Sequence, residues 1–201
     1  FPVNNEAPEL TSIAVNPQKV GDLLVVSAQE HSTTFAVTTV SGGGAGPWTR
    51  AIRFVDTANT LTYEIWYARV TSPGSATVNF TYSGDNPSLP IEIVADSFTG
   101  PPGGTTWSVV ASGGSSNPAS STVAWPSLTS GSATYQLYWG ASEELSSGQA
   151  GSTPGFTYSL TDNDNTFLYD GGVQPGKTYQ PSSVESPVDV STAAAVIFSW
   201  S

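Results

Sequence analysis

The chain has 201 residues, 16 acids against five Lys or Arg, a net charge of −11, one His, no Cys and no Met. That inventory excludes thiol catalysis, thiolate metal sites, disulfides and any mechanism needing two imidazoles. Five cations also leave no basic footprint for nucleic acid or an anionic membrane.

Solubility must come from hydroxyls and backbone, because 10% of residues are charged, against about 25% in ordinary globular chains. Ser and Thr together number 53 (29 Ser plus 24 Thr). Six Trp, eight Tyr and eight Phe supply a core, so a folded domain is expected rather than a disordered chain. The length suits one β-domain, and no apolar run approaches the roughly 20 residues needed to span a bilayer. The chain begins at Phe1 and lacks methionine. This gives the expectation of a cleaved secretory leader or of a fragment of a longer chain.

In chain order, residues 1–16 read as an extended Pro/Asn-rich segment ending in the apolar run Ile13–Val15. Residues 17–201 then read as one β-domain. Asp22–Gln29 (DLLVVSAQ) is continuously apolar, which predicts a strand buried on both faces. Thr34–Val40 and Trp48–Asp56 alternate, with a glycine turn at Gly42–Gly46 between them. Leu61–Val70 places Tyr63, Ile65 and Tyr67 opposite Glu64, Trp66 and Ala68. Ala76, Val78, Phe80 and Tyr82 share one face, and Ser75, Thr77, Asn79 and Thr81 form a water-facing row. Pro90–Phe98 follows.

Gly100–Thr106 (GPPGGTT) is the strongest punctuation, either a domain boundary or, as favoured here, a long loop within one sandwich. Beyond it, Trp107–Ala111, Ser121–Leu128, Thr134–Gly140, Gly155–Leu160, Thr166–Asp170 and Ala193–Trp200 read as strands. Ser112–Ser120, Ser146–Pro154 and Pro181–Asp189 read as Ser/Gly/Pro loops. About twelve strands without helical periodicity give an all-β, jelly-roll-like antiparallel β-sandwich as the expected fold.

The segments Gly21–Val26 (GDLLVV), Ser41–Arg53 (SGGGAGPWTRAIR), Glu64–Tyr67 (EIWY), Gly74–Gly84 (GSATVNFTYSG), Ile93–Gly100 (IVADSFTG) and Ala150–Tyr158 (AGSTPGFTY) carry a resemblance. Together they resemble exterior jelly-roll modules, of concanavalin-A-like lectin/glucanase type, found in secreted bacterial and archaeal surface proteins and in phage virion or tail proteins. The motifs mark strands and turns. The resemblance implies a non-catalytic exterior part of a virion, filament or cell surface, and transfers no active-site residue.

Residue by residue, enzymatic chemistry finds little support. Glu92 and Asp96 share a strand face about 13 Å apart, too far for a glycosidase pair. Glu143 and Glu144 are adjacent and point apart, and His31 has no nucleophile elbow to serve. No cofactor is expected. The candidate cation is calcium at Asp162 and Asp164 of Asp162–Asn165 (DNDN), where alternating oxygens could wrap a hard ion; the competing reading is a hairpin turn with local backbone hydrogen bonds.

Trp66 is the candidate glycan-stacking ring if Ile65 and Tyr67 face inward; if the sheet is covered on both sides, it is core. Asn79 in Asn79–Phe80–Thr81 is the only glycosylation sequon. Phe1, Val3, Leu10, Ile13 and Val15 form the candidate assembly segment, either a strand donated to a neighbouring copy or one tied into its own sheet. The expected role is a non-catalytic structural subunit of an extracellular assembly whose partners are copies of itself. The alternative is a phage-tail or cell-surface adhesin binding glycans, with a glycoside hydrolase as the residual class.

Overall fold

A computed structural model describes residues 3–8, 10–83, 90–102 and 106–201; Phe1 lies outside them. Every strand pairing whose register is defined is antiparallel, and the described residues contain no helix. The chain divides into two compact units, one formed by 1–55 and 60–107, the other by 56–59 and 108–201. The division falls at Trp107–Ser108, just past the Gly/Pro stretch that the sequence suggests is a loop inside one domain.

The first unit holds β1 (Val3–Pro8), β2 (Ser12–Val15), β3 (Leu23–Glu30), β4 (Val37–Gly42), β5 (Thr49–Asp56), β6 (Leu61–Arg69), β7 (Ala76–Tyr82) and β8 (Pro90–Phe98). One sheet runs β1-β8-β3-β6-β5 and a second runs β2-β7-β4. Leu24, Val26, Ala28, Trp66, Ile91 and Ile93 of the first join Ile13, Val15, Val37, Val78 and Phe80 of the second in one hydrophobic cluster. All eight residues of β3 are buried, as its unbroken apolar run predicts. The row Ser75, Thr77, Asn79 and Thr81 is exposed along its length.

The turn after β4 depends on glycine. Gly42, Gly43 and Gly44 all have positive φ (78°, 71° and 64°). A Cβ on Gly42 would sit 2.3 Å from the Thr77 carbonyl oxygen, and one on Gly44 would sit 2.1 Å from that of Ser72. Backbone conformation and space therefore both require glycine here.

The second unit holds β9 (Trp107–Ala124), β10 (Leu128–Thr129), β11 (Tyr135–Glu144), β12 (Ser147–Gln149), β13 (Thr157–Leu160), β14 (Thr166–Asp170), β15 (Thr178–Tyr179) and β16 (Ser182–Trp200). Its main sheet runs β12-β16-β11-β14-β13, with β9 also paired to β16, and β10 pairs β15 separately. Trp125, Tyr138, Leu168, Ala193, Ala195 and Ile197 lie in its core.

Of two segments expected to be loops, Ser112–Ser120 is strand in β9, and Pro181–Asp189 is strand in β16 from Ser182 onward. Of the third, Ser146–Pro154, Ser147–Gln149 becomes β12. Side chains help stabilise these polar strands. The Asn117 amide donates to the Ala124 carbonyl and accepts from the Ala124 N–H, both at 3.2 Å, so a side chain takes the part of a backbone neighbour. β12 pairs Ser147–Gln149 with Val184–Ser186. The outcome is sixteen strands among the described residues, against the twelve or so expected.

Candidate functional site

Of the assembly candidates, Val3 falls on β1, Ile13 and Val15 on β2 and Leu10 between the two strands, while Phe1 lies outside the described residues. β1 is the outer strand of its sheet and, among the described residues, pairs only with β8, over Val3↔Ala95, Asn4↔Val94, Asn5↔Ile93, Glu6↔Glu92, Ala7↔Ile91 and Pro8↔Pro90. β2 pairs with β7 through Ser12↔Asn79 to Val15↔Ala76. Ile13 and Val15 are buried, and Val3 and Leu10 pack partly buried against the same cluster. A shallow groove lined by Val3, Ala14, Val15, Ala76 and neighbouring residues flanks the start of β1. In this structure the segment is tied into its own unit, with β1 on a sheet edge.

Behind that edge, the interior contains an acidic pair. Strand alternation carries Leu24, Val26, Ala28 and then Glu30 onto the core face of β3, and Glu64, Trp66 and Ala68 onto the same face of β6. Glu64 is fully buried and well supplied with partners. Its carboxylate accepts from the Val37 N–H at 2.9 Å and Trp66 Nε1 at 3.2 Å, and it pairs with Arg50 at 3.2 Å and Arg53 at 3.4 Å. Arg50 also lies 5.5 Å from the centroid of the Trp66 ring.

Glu30 has no such support. It is 1% exposed, and neither carboxyl oxygen has a hydrogen-bond partner among the described residues. Burial, reinforced by the Glu64 charge and opposed by Arg53, holds its proton affinity well above the usual carboxyl range. The Tyr82 hydroxyl is likewise buried without a partner, and burial together with Glu30 and Glu64 pushes its pKa up.

The second unit treats its interior acids differently. Glu144 accepts from Ser142 Oγ at 2.8 Å and the Thr166 N–H at 2.9 Å. Burial nevertheless pushes it to about 7, with Glu143 adding to the rise. Glu143 accepts from Asn165 Nδ2 at 2.7 Å, and Glu185 accepts from the Ser146 N–H and Oγ at 3.1 Å. Burial raises Glu185 too, and the charges of Asp189 and Glu143 add to it. Asp56 is the opposite case. Burial opposes ionisation, but hydrogen bonds from Thr192, Ser116 and the Asn59 and Ala58 N–H groups outweigh it and lower its pKa.

The remaining candidates are dispersed. Trp66 is 9% exposed and part of the core, so the exposed-platform reading is corrected: both faces of its sheet are covered. Asn79 is exposed in the middle strand of β2-β7-β4, pointing outward as its alternation predicts. Asp162 and Asp164 occupy the β13–β14 hairpin. There Thr161 N–H donates to the Asn165 carbonyl at 2.8 Å, and the Asn163 and Asn165 N–H groups donate to Thr161 Oγ1. Asp164 takes a left-handed φ of 61°. No group of three or more His, Cys, Asp or Glu side chains among the described residues could hold a metal ion.

Sequence reasoning missed Glu30 and Glu64. The signal was the alternation itself: once Val26, Ala28 and Trp66 are core, Glu30 and Glu64 must share their face. No protein-family model matches the chain, and no curated protein matches it.

Proposed function

We propose that this chain is a non-catalytic structural subunit of an extracellular assembly, a surface filament or virion part of jelly-roll type, joined to copies of itself by exchange of β1. One observation carries the reading. β1 closes the edge of a five-stranded sheet through a single neighbour, β8, and only residues 9–11 separate it from β2. A β1 from a second copy could take the same register against β8, restoring the same backbone bonds between chains. The hydroxyl-rich outer rows and low charge suit an exterior surface.

The glycan-adhesin alternative rests on exposed aromatics. Trp66, Trp107, Trp125 and Trp139 are buried, leaving only Trp48 and Trp200 partly exposed. It ranks second for that reason.

The test uses the absence of native cysteine. Asn4→Cys with Val94→Cys places two thiols at facing register positions, within disulfide reach across an antiparallel pair. Oxidation of concentrated protein should give covalent ladders on a non-reducing gel. Only within-chain bonds, at every concentration, would overturn the reading.

A further inference from the structure

Glu30 is the last residue of β3 and the only polar side chain of its strand face. In register it stands against Ile91 of β8, and Ile91 stands against Ala7 of β1. This row places Glu30 two strands away from the end of the exchangeable strand, with Ile91 between.

Each surrounding element contributes a definite group. β6 brings Glu64, whose carboxylate is already occupied by Arg50, Arg53, Trp66 and the Val37 amide of β4. From β5, Arg53 attracts Glu30 at a distance while bonded to Glu64. Across from it, β7 brings Tyr82, its ring stacked on Phe35 at 4.8 Å and its hydroxyl unpartnered. β8 offers only apolar side chains on this face, Ile91, Ile93 and Ala95, since Glu92 stands opposite Gln29. His31, next in the chain, contacts the Gln29 amide at 3.5 Å. No donor or cation is therefore bonded to Glu30. In its neutral form the carboxyl fits this surrounding; as an anion it would be a bare charge in an apolar core beside a second carboxylate.

We propose that Glu30 is a proton-operated latch on the β1 edge: neutral, it keeps the β3-β8-β1 end closed, and loss of its proton loosens that end and releases β1 for exchange. The step is simple in chemistry. The O–H bond of the carboxyl breaks, the proton passes to solvent, and water must reach the carboxylate. The least costly opening is at the edge, because β1 has one neighbour whereas β6 has two. The consequence for assembly rests on the strand-exchange reading; the latch itself does not.

The sign follows from the raised proton affinity. The closed state binds a proton that the open state releases, so closure is favoured at low pH and weakens as pH rises above the ordinary carboxyl range. The experiment is amide hydrogen exchange of the full chain from pH 5 to 8, read as protection factors for Asn4–Ala7 and Ile91–Ala95, in wild type and Glu30→Gln. Wild-type protection should fall with pH, by up to about tenfold per unit for a single proton. Glu30→Gln, nearly isosteric and neutral at every pH, should hold protection high and flat. Protection that ignores pH in wild type, or falls equally in the variant, overturns the latch. Should Glu30→Gln fail to fold, the wild-type slope still decides: one proton released per opening supports the latch, and none overturns it.

The Asn4→Cys, Val94→Cys pair separates the two ideas, read as the ratio of between-chain to within-chain disulfides. A ratio that rises from pH 5 to 8 and stays low with Glu30→Gln supports both. pH-dependent protection with no between-chain bonds keeps the latch and removes strand exchange. Between-chain bonds with flat protection do the reverse.

Discussion

The two units face the same problem, carboxyl groups inside a β-sheet core, and handle it in different ways. The first gives Glu64 two arginines, an indole N–H and a backbone amide, and leaves Glu30 without a hydrogen bond among the described residues. The second has Lys177 as its only basic residue and relies on hydroxyls, amides and backbone N–H groups around Glu143, Glu144 and Glu185. Around Glu144 the neutral donors satisfy lone pairs without offsetting burial, which leaves it at about 7, whereas around Asp56 they outweigh burial.

The largest effect should come from removing the cation-paired acid. Glu64→Leu strands Arg50 and Arg53 and orphans the Val37 amide. Because both arginines are partly exposed, the cost should fall near the low end of the range for breaking buried pairs, about 3 kcal/mol in urea unfolding. A cost under about 0.5 kcal/mol would mean that the charge pairing does not stabilise the first unit.

A comparable effect should come from pH acting on Glu144. Its folded value of about 7 exceeds the unfolded 4.5, so the folded chain binds more protons between those values. Stability should decline as pH rises from about 4.5 to 7 and then level off. The contribution from this group is up to about 3 kcal/mol, at roughly 1.4 kcal/mol per unit. Denaturant midpoints across that window, compared with Glu144→Gln, would isolate it. A wild-type profile as flat as the variant's would erase the contrast between the units.

Asp56 tests the reverse sign. Its lowered value means that its contribution is present above the unfolded 3.8 and is lost as pH falls through the folded value. Asp56→Ala removes the acceptor for Thr192, Ser116, Asn59 and two backbone N–H groups. It should cost about 2 kcal/mol at neutral pH, and less in acid. The smallest change belongs to the β13–β14 hairpin. Asp164→Gly relieves a left-handed φ and should be neutral or stabilising by about 0.5 kcal/mol. Millimolar calcium should leave Tm unchanged in both forms; a Tm that rises with calcium in wild type alone would restore the cation reading.

Much of the architecture was legible because alternation records which side chains share a face. The bounds of β8 and β14 coincide with Pro90–Phe98 and Thr166–Asp170, β3 is buried on both faces, and the Ser75–Thr81 row meets water. Alternation does not say whether the opposite face is also covered, and that is why Trp66 stayed open between platform and core. Composition failed at Ser112–Ser120 and Pro181–Asp189 for another reason. Ser, Gly, Asn and Pro are depleted in strands because they pack poorly and compete for backbone bonds. Asn117 bonding Ala124 within β9, and β12 pairing with Val184–Ser186 of β16, override that preference. The acids at Glu30 and Glu64 were hidden by the expectation that charge lies outside.

The turn Gly42–Gly44 bears on how this chain can change over generations. By composition it looks like a permissive surface loop, the kind of place where drift and insertion are tolerated. Its contacts say otherwise: a single methyl at Gly42 or Gly44 would collide with a carbonyl oxygen of the neighbouring backbone, and one at Gly43 would meet Val78 and Leu24 inside 3 Å. A saturation library selected only for folding should therefore find these three codons nearly frozen, while the exposed serines and threonines around them vary freely.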